Sequence, residues 1–281
     1  MADRSKAVLI TGCSSGIGHA TVEALLSRGW PVYATARRPE SITDLADRGA
    51  RTLALDVCDE ESMSAAVATV ADAEGAVGVL INNAGYSQSG AVESVPLDQV
   101  RRQFETNVFG LVRMCQLVLP GMRAQGWGKI VNISSMGGRL TFPGGGYYHA
   151  TKYAVEAISD ALRFEVRGFG VDVILIEPGL IVTRFGDAAT ATVPARGEGA
   201  YAHFNDTVAK VTTNAYKGPM AKLGAGPEVV AEKIARALES DRPKPRYPVT
   251  ASARLLITQR RLTPDRVWDL MMRTQFPTPK P

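Results

Sequence analysis

Short runs of apolar residues alternate along the chain with longer stretches whose apolar positions recur at helical spacing. The runs are rich in Val, Ile and Leu without polar alternation, which is typical of strands buried on both faces of a parallel sheet. They predict six strands, at Ala7–Thr11, Val32–Ala36, Thr52–Asp56, Val79–Asn82, Lys129–Ser134 and Val171–Glu177. The stretches between them predict helices over 17–28, 60–73, 97–124 and 148–167. This alternation predicts an α/β fold with one doubly wound parallel sheet and helices on both faces.

The regular alternation ends at Thr183. Residues 184–226 are rich in Gly, Ala, Thr and Lys and show only short helical patches, so the sequence predicts a long loop, and such loops are usually functional or mobile. A helix is predicted over 227–240. The prolines of 241–249 predict an extended or edge segment, and a last helix is predicted from Thr263.

The chain of 281 residues has an ordinary globular composition, with 45% hydrophobic and 21% charged residues, which excludes a disordered or collagen-like protein. One domain of this length buries a large core and needs no disulfide or structural metal to fold. The net charge of +4 is a weak basic bias and, without a basic cluster, does not indicate nucleic-acid binding. Leu255–Ile257, beside Arg254 and Arg260–Arg261, is compatible with contact to anionic lipid, although a solvated face on a packed helix is the favoured interpretation.

The three cysteines and three histidines are scattered and form neither a CxxC pair nor a zinc-ligand spacing. We therefore expect no metal, and reduced thiols of the kind found in cytosolic proteins. The first apolar run has only four residues, Ala7 to Ile10, which is too short for the core of a signal peptide. No segment reaches the roughly 18 apolar residues of a membrane span. These observations predict a soluble, cytoplasmic protein.

The first predicted strand runs into a glycine-rich turn over residues 11–18, followed by a helix. Glycines at such a junction allow the backbone to approach a pyrophosphate at the helix N-terminus. The spacing is GxxxGxG rather than GxGxxG, so it is the strand–turn–helix context that favours a bound dinucleotide over a merely tight turn. The candidate phosphate-binding residues are Gly12, Ser14, Ser15, Gly16, Ile17 and Gly18.

The second predicted strand ends at a position that distinguishes the two nicotinamide dinucleotides. An acid there binds the ribose 2′-hydroxyl of NAD, whereas an arginine accommodates the 2′-phosphate of NADP. The chain has Ala36 followed by Arg37 and Arg38, and a planar guanidinium suits a phosphate dianion. We therefore predict NADP, with NAD less favoured. The alternative is that both arginines are solvated surface charge.

Further motifs follow in a fixed order. They are Asn82-Asn83-Ala84-Gly85, Asn107, Ser135 in Asn-Ile-Ser-Ser, Tyr148-x-x-x-Lys152 and Pro178-Gly179-x-Ile181-x-Thr183. Together with the glycine-rich turn they resemble the short-chain dehydrogenase/reductase (SDR) family across about residues 6–250. The resemblance implies a single-domain Rossmann fold and an oxidoreductase. The segment from Val32 to Arg37, the serine run ending Met136-Gly137-Gly138 and the C-terminal extension look most like the 17β-hydroxysteroid and retinol dehydrogenase branch.

The tyrosine and lysine can also be interpreted from their chemistry. Tyr148 and Lys152 are four residues apart, so they share one helix face. A lysine cation and an oxidised nicotinamide nearby would stabilise tyrosinate and lower the tyrosine pKa, which lets the tyrosine exchange a proton near neutrality. Ser135, just past the fifth strand, is placed to hydrogen-bond a substrate oxygen as charge develops on it. The spacing disfavours the neighbouring Tyr147 and Ser134 for these roles. An isolated Tyr–Lys pair is usually only surface or packing.

The resemblance assigns the remaining roles. The residue that matches Asn107 holds a water that links the lysine to solvent. Other matching positions contact the adenine, the adenosine ribose and the nicotinamide. They are, in chain order, Asp56, Val57, Asn83, Ala84, Gly85, Tyr148, Lys152, Pro178, Gly179, Ile181 and Thr183.

These residues predict hydride transfer between NADP(H) and a carbonyl or secondary alcohol. Residues 184–226 leave the nicotinamide end, so we expect them to cover a lipophilic substrate of steroid, retinoid or fatty-ketone type. The alternative for that segment is a surface insertion packed on the C-terminal extension, 241–281. The alternative function is a regulator that binds NADPH without turnover. The resemblance also implies a homodimer or homotetramer.

Overall fold

The computed structural model describes residues 4–183, 185–194, 199–217 and 223–279. Within these ranges the strands are β1 (Val8–Ile10), β2 (Val32–Ala36), β3 (Arg51–Ala54), β4 (Val79–Asn82), β5 (Gly128–Ile133), β6 (Val171–Pro178) and β7 (Arg246–Val249). They form one parallel sheet in the order β3-β2-β1-β4-β5-β6-β7. The six predicted strands and the single doubly wound α/β domain are confirmed. The edge strand β7 comes from the proline-containing segment 241–249.

Helices connect the strands and cover both faces of the sheet. They are α1 (Gly16–Leu26), α2 (Thr43–Asp47), α3 (Glu60–Glu74), α4 (Leu97–Phe104), α5 (Gly110–Ala124), α6 (Gly146–Val166), α7 (Phe185–Ala191), α8 (Ala202–Lys217), α9 (Pro227–Glu239), α10 (Ala251–Leu262) and α11 (Asp265–Arg273). A π-helical turn at Glu105–Phe109 joins α4 to α5, so the predicted helix over 97–124 is continuous. Among the described helices, none combines the length and apolar character that crossing a bilayer requires.

Side chains of the strands alternate between two cores on opposite faces of the sheet. On β1, Val8 and Ile10 pack with residues of α1 and α9, whereas Leu9 packs with residues of α3, α5 and α6. The other central strands alternate in the same way. Because both faces are covered, most positions of such a strand are apolar, which explains the runs without polar alternation.

The order of the strands places a crevice beside β1. Strands β2 and β3 lie on one side of β1, and β4 to β7 lie on the other. At such a switch point the loops after neighbouring strands diverge, and the gap at the carboxyl ends of the strands is where α/β sheets bind ligands. The loops that follow β1 and β4 border this gap.

The structure differs from the sequence-based expectation over 184–226. The described residues of this segment form α7 and the 16-residue helix α8, not a loop with only short helical patches. Phe204, Val208 and Val211 share one side of α8 and pack in an apolar cluster with C-terminal residues. The apolar residues of α8 are interspersed with Thr, Asn and Ala, and their packing partners are far away in the sequence. The local pattern therefore does not indicate a long helix. Residues 184, 195–198 and 218–222 of the predicted covering segment lie outside the described residues.

The C-terminal extension also contains more helix than predicted. The helix expected from Thr263 is present as α11, and α10 precedes it. Thr250 caps α10, because its Oγ1 accepts a hydrogen bond from the N–H of Ala253 at 3.2 Å. A threonine cap followed by good helix formers was the signal in the sequence for this helix.

Candidate active site

A cavity of about 1680 Å³ runs along the carboxyl edge of the sheet. Its walls come from the loops that follow β1 to β6, from α6, α7 and α8, and from the C-terminal extension. The predicted site residues line it, except Gly18, Arg38 and Asn107. The segments that carry the predicted motifs therefore meet at one place.

The turn between β1 and α1 leaves no room for a side chain at Gly12 or Gly18. Gly12 has a φ of +73°, and a Cβ there would lie 2.9 Å from the Cα of Ala84. A Cβ on Gly18 would lie 2.5 Å from the carbonyl oxygen of Gly12, so Gly18 acts through packing and does not line the cavity. The side chain of Ser15 does not cap α1. The first amide groups of α1 are therefore available to an anion such as a pyrophosphate.

Two side chains shape this turn, and the sequence analysis did not assign them that role. Thr11 Oγ1 accepts hydrogen bonds from the N–H groups of Asn83 and Ala84, both at 3.0 Å. Asn83 Nδ2 donates to the carbonyl oxygens of Thr11 at 2.9 Å and of Gly12 at 2.8 Å. The loops after β1 and β4 are thus bonded to each other. A polar residue directly after each apolar strand was the available signal.

The cavity wall beyond β2 and β3 carries the predicted adenosine contacts. Asp56 Oδ1 accepts a hydrogen bond from the N–H of Cys58 at 3.0 Å, which fixes the carboxylate at the rim. Arg37 is exposed and lines the cavity, whereas Arg38 is exposed outside it. Ala36, at the end of β2, is buried and places no acid there.

Ser135, Tyr148 and Lys152 converge on the wall beyond β5. Ser135 follows β5, and α6 carries the other two residues one turn apart. The Ser135 hydroxyl is near enough to the Tyr148 hydroxyl to lower the pKa of Tyr148. Lys152 Nζ donates to the carbonyl oxygen of Ile133 at 2.8 Å and lies 5.9 Å from the centroid of the Tyr148 ring. A hydroxyl pair and an ammonium group therefore border the same part of the cavity.

Burial sets the acid–base properties of this group. It raises the pKa of Tyr148 above the usual value, while the Ser135 hydroxyl acts in the opposite direction. Burial also lowers the pKa of Lys152 to about 8, against the opposing effect of the Glu156 carboxylate. Near neutral pH, Tyr148 is thus a neutral proton donor and Lys152 is mostly an ammonium ion.

Asn107 lies in the π-helical turn between α4 and α5, a geometry frequent at functional sites. Its Nδ2 donates to the Tyr86 carbonyl at 2.9 Å and to Thr151 Oγ1 at 3.1 Å, and its Oδ1 accepts from the N–H of Tyr86 at 3.1 Å. Asn107 therefore connects the segment after β4 to α6, one residue before Lys152. The water-mediated role implied by the resemblance stays a prediction.

His149, next to Tyr148, holds the segment after Ser135 against α6. Its Nε2 accepts a hydrogen bond from the N–H of Phe142 at 3.2 Å, so its Nδ1 carries the proton and donates to the Gly137 carbonyl at 3.0 Å. Burial lowers the pKa of His149 to about 4. The ring is therefore neutral near pH 7. Its two hydrogen bonds connect the segment after Ser135 to α6, which indicates a structural role.

The segment Pro178–Thr183 begins at the end of β6 and lines the cavity. Ile181 forms a parallel β-bridge with Ala225. Thr183 lies over the glycine-rich turn, because a Cβ on Gly16 would be 3.4 Å from Thr183 Cγ2. This segment therefore closes the side of the cavity that faces the predicted phosphate site.

Two buried carboxyl groups lie behind the site. Glu177 directly precedes Pro178, and Glu156 follows Lys152 by one turn of α6. Burial raises the pKa of Glu177 to about 7, and the charge of Glu156 acts in the same direction. Arg246 Nε donates to Glu156 Oε2 at 2.9 Å, and Arg139 lies 3.6 Å from Glu177 Oε1, which partly offsets this effect.

We expect Glu177→Gln to remove a pH-dependent contribution to stability. The pKa of Glu177 rises from 4.5 to about 7 on folding, so the folded protein holds a proton that the unfolded chain has released. This contribution is fully present below about pH 4.5 and is lost by about pH 7, with a size of at most about 3 kcal/mol. Urea unfolding should therefore show the variant gaining stability relative to wild type between about pH 5 and about pH 8.

Glu165→Gln, at an exposed position on α6, is the control and should show the wild-type dependence of stability on pH between about pH 5 and about pH 8. Parallel stability curves for Glu177→Gln and wild type would show that Glu177 does not hold the proton.

The chain belongs to the short-chain dehydrogenase family, whose model matches residues 6–193. An uncharacterized oxidoreductase of Escherichia coli, YbbO, is 38% identical over 268 residues, covering 95% of this chain and 94% of the relative. An NADPH-dependent 3-dehydrocapnine reductase of Ornithobacterium rhinotracheale is 35% identical, covering 93% of this chain and 94% of the relative. The predicted family is thus confirmed, and the 17β-hydroxysteroid and retinol dehydrogenase branch stays a prediction.

Solved structures agree with this assignment. A short-chain dehydrogenase from Streptomyces avermitilis is 35% identical, with a TM-score of 0.80 and 96% of each chain covered. A short-chain dehydrogenase/reductase from Burkholderia phymatum in complex with NAD is 25% identical, with a TM-score of 0.78, covering 99% of this chain and 98% of the other. The protein is thus an oxidoreductase of this family with the Rossmann fold.

Proposed function

We propose that this oxidoreductase interconverts a ketone and a secondary alcohol on a lipophilic substrate and uses NADP(H). The observation that carries the proposal is the convergence of Ser135, Tyr148 and Lys152 on one large cavity. Several cavity residues lie near Tyr148 and outside the predicted cofactor site. Those described are mainly apolar or aromatic, which supports a lipophilic substrate. They include Phe142, Phe185, Val193, Val208, Val211 and Tyr216.

The residues present fit a dinucleotide. The glycine-rich turn is a cradle that side chains would fill, and the uncapped first turn of α1 suits the pyrophosphate. Arg37 would bind the 2′-phosphate, Asp56 the adenosine end, and Pro178–Thr183 the nicotinamide. When bound, the nicotinamide supplies or accepts the hydride.

The side chains of this protein handle the proton. In the direction of reduction, the Tyr148 hydroxyl donates its proton to the substrate oxygen while the Ser135 hydroxyl hydrogen-bonds the same oxygen. The Lys152 ammonium stabilises the tyrosinate that remains. In the direction of oxidation, tyrosinate takes the proton of the alcohol. The buried setting strengthens each of these interactions, because water screens them little.

A panel of straight-chain, steroid and retinoid carbonyl compounds tests the proposal. We expect NADPH absorbance to fall on addition of at least one lipophilic carbonyl compound, with the corresponding alcohol as the product. NADPH binding by calorimetry without turnover of any panel member would instead favour the regulator.

We expect Arg37→Ala to weaken the preference for NADPH over NADH. A hydrogen bond to a charged group contributes about 1.5–3 kcal/mol, so NADPH binding should weaken by roughly ten- to a hundredfold, with NADH binding nearly unchanged. Titration calorimetry with both cofactors measures the effect. Arg38→Ala, outside the cavity lining, should weaken NADPH less. Equal affinity of the wild type for NADPH and NADH would contradict the preference for NADP.

The exposed aromatic residues support self-association. Phe109 in the π-helical turn is 56% exposed, and Phe164 on α6 is 86% exposed. Large apolar side chains so exposed on the two long helices suit a homodimer or homotetramer interface. The free thiols of Cys13, Cys58 and Cys115 are consistent with a reducing, cytoplasmic location.

A further inference from the structure

The C-terminal unit, defined as residues 251–279, lies outside the part of the chain that the family model matches. Trp268, Met272 and Phe276 recur every four residues along α11 and just beyond it, so their side chains share one face, and all three are buried. With residues of the main domain they form one apolar cluster of Leu140, Val208, Trp268, Met272 and Phe276. The unit is therefore packed onto the domain through an apolar face.

Hydrogen bonds attach the end of β7 and the beginning of this unit to the segment after β6. The N–H of Leu180 donates to Ser252 Oγ at 3.3 Å, and the N–H of Gly179 donates to the Val249 carbonyl at 3.1 Å. Thr250, at the junction, has a φ of +88°. A β-branched residue rarely adopts this conformation, so the surrounding contacts must hold the junction in place.

The end of the unit contacts the segment after Ser135. Trp268 Nε1 donates to the Thr141 carbonyl at 3.4 Å, and the Trp268 and Phe142 rings lie 6.2 Å apart. Phe142 also lies 6.0 Å from the ring of His149. Residues 141–142 are thus held between α6 and α11, and the C-terminal unit is connected to the wall that carries Tyr148.

The unit reaches the cavity itself. Leu256, Gln275 and Phe276 line the same cavity as Ser135 and Tyr148. The Phe276 ring lies 6.4 Å from the ring of Phe204 on α8. The other described lining residues of this cluster are uncharged: Phe142, Val193, Val208 and Val211. Such a wall suits a hydrocarbon chain and offers no counter-charge to a buried ion.

We propose that Phe276 and Leu256 bound the part of the cavity that receives the substrate chain, and that they set the length of the uncharged alkyl chain that the enzyme accepts. The C-terminal unit is then a specificity element, held in place by its contacts with Leu180 and Thr141. This inference rests on the proposed ketone–alcohol activity and adds the residues that select among its substrates.

Steady-state kinetics with a homologous series of straight-chain methyl ketones tests this role. In wild type, each added methylene that becomes buried should raise kcat/KM by about fourfold. The rise should stop when the chain meets the wall formed by Phe276 and Leu256. In Phe276→Leu and Leu256→Ala the rise should continue for roughly one or two further methylenes. Phe276→Trp should end the rise earlier. Leu270→Ala, an exposed position on α11, is the matched control and should keep the wild-type profile.

A second measurement does not depend on turnover. The melting temperature of the NADPH complex is determined with the alcohols that correspond to the ketone series, because ligand binding raises the melting temperature. If wild type reduces no ketone, the proposed activity fails, and the dependence of this stabilisation on chain length still tests the wall. If wild type reduces the ketones and all the variants stop at the wild-type chain length, the wall assignment alone is wrong.

Melting temperatures of the free variants separate specificity from folding. Phe276 and Leu256 belong to a packed cluster, so the smaller side chains should also lower stability. A loss of stability alone lowers activity toward all chain lengths alike. Opposite shifts in Phe276→Leu and Phe276→Trp would establish the wall, whereas uniform losses in both would overturn it.

Discussion

Tyr148→Phe is expected to lower kcat by about 10²–10⁴-fold, because the substitution removes the hydroxyl that donates the proton. The fold should be unaffected, since the ring keeps its contacts with Phe185 and His149, both at 5.7 Å between centroids. NADPH affinity should change little. Steady-state kinetics and NADPH titration of the purified variant measure the two effects separately.

Tyr147→Phe is the matched control for this prediction. The Tyr147 hydroxyl donates to the Val92 carbonyl at 2.9 Å, away from Ser135 and Lys152. Its loss should leave kcat close to wild type. Retained turnover in Tyr148→Phe, together with loss in Tyr147→Phe, would transfer the proton-donor role to Tyr147.

Ser135→Ala is expected to lower kcat by about 10²–10³-fold, because the hydroxyl that stabilises the developing charge on the substrate oxygen is lost. The Ser135 hydroxyl lowers the pKa of Tyr148. Its removal should therefore move the alkaline rise of alcohol oxidation to higher pH. The Ser135 hydroxyl also accepts from the N–H of Gly137 at 3.0 Å, so stability should fall by about 1 kcal/mol. A pH–rate profile and urea unfolding measure both changes.

Ser134→Ala provides the control at the neighbouring position. Ser134 is buried, and its hydroxyl has no hydrogen-bond partner among the described residues. Removing that hydroxyl should alter neither kcat nor the pH profile. Equal losses in Ser134→Ala and Ser135→Ala would show that the role of Ser135 is not specific.

The sheet and the pairing of Tyr148 with Lys152 could be predicted from the sequence because both depend on local patterns. A strand covered on both faces is mostly apolar, so β1 and β4 are evident as short runs of Val, Ile and Leu in the sequence. A helical tyrosine and lysine four residues apart must share a face, so their proximity needs no tertiary information. The structure places Tyr148 and Lys152 on one wall for this reason.

Other features depend on contacts between distant segments. The apolar residues Phe204, Val208 and Val211 on α8 are buried or partly buried in a cluster with residues of the C-terminal unit. The bonds between Thr11 and Asn83 join residues that lie 72 positions apart. Arg37 and Arg38 are identical in type, and only the path of the backbone after β2 separates them. Residue patterns cannot reveal such pairings before the fold is known.

The bonds between Thr11 and Asn83 have a consequence for the thermodynamics of cofactor binding. They order the turn at Gly12 through protein groups alone, because Asn83 bonds the carbonyl groups that a mobile turn would leave to water. Ordering the backbone of one residue costs about 1–2 kcal/mol. In this protein the ordering takes place during folding and not on association. The predicted phosphate-binding turn is therefore preorganised, and more of the contact energy with a bound dinucleotide should appear as affinity.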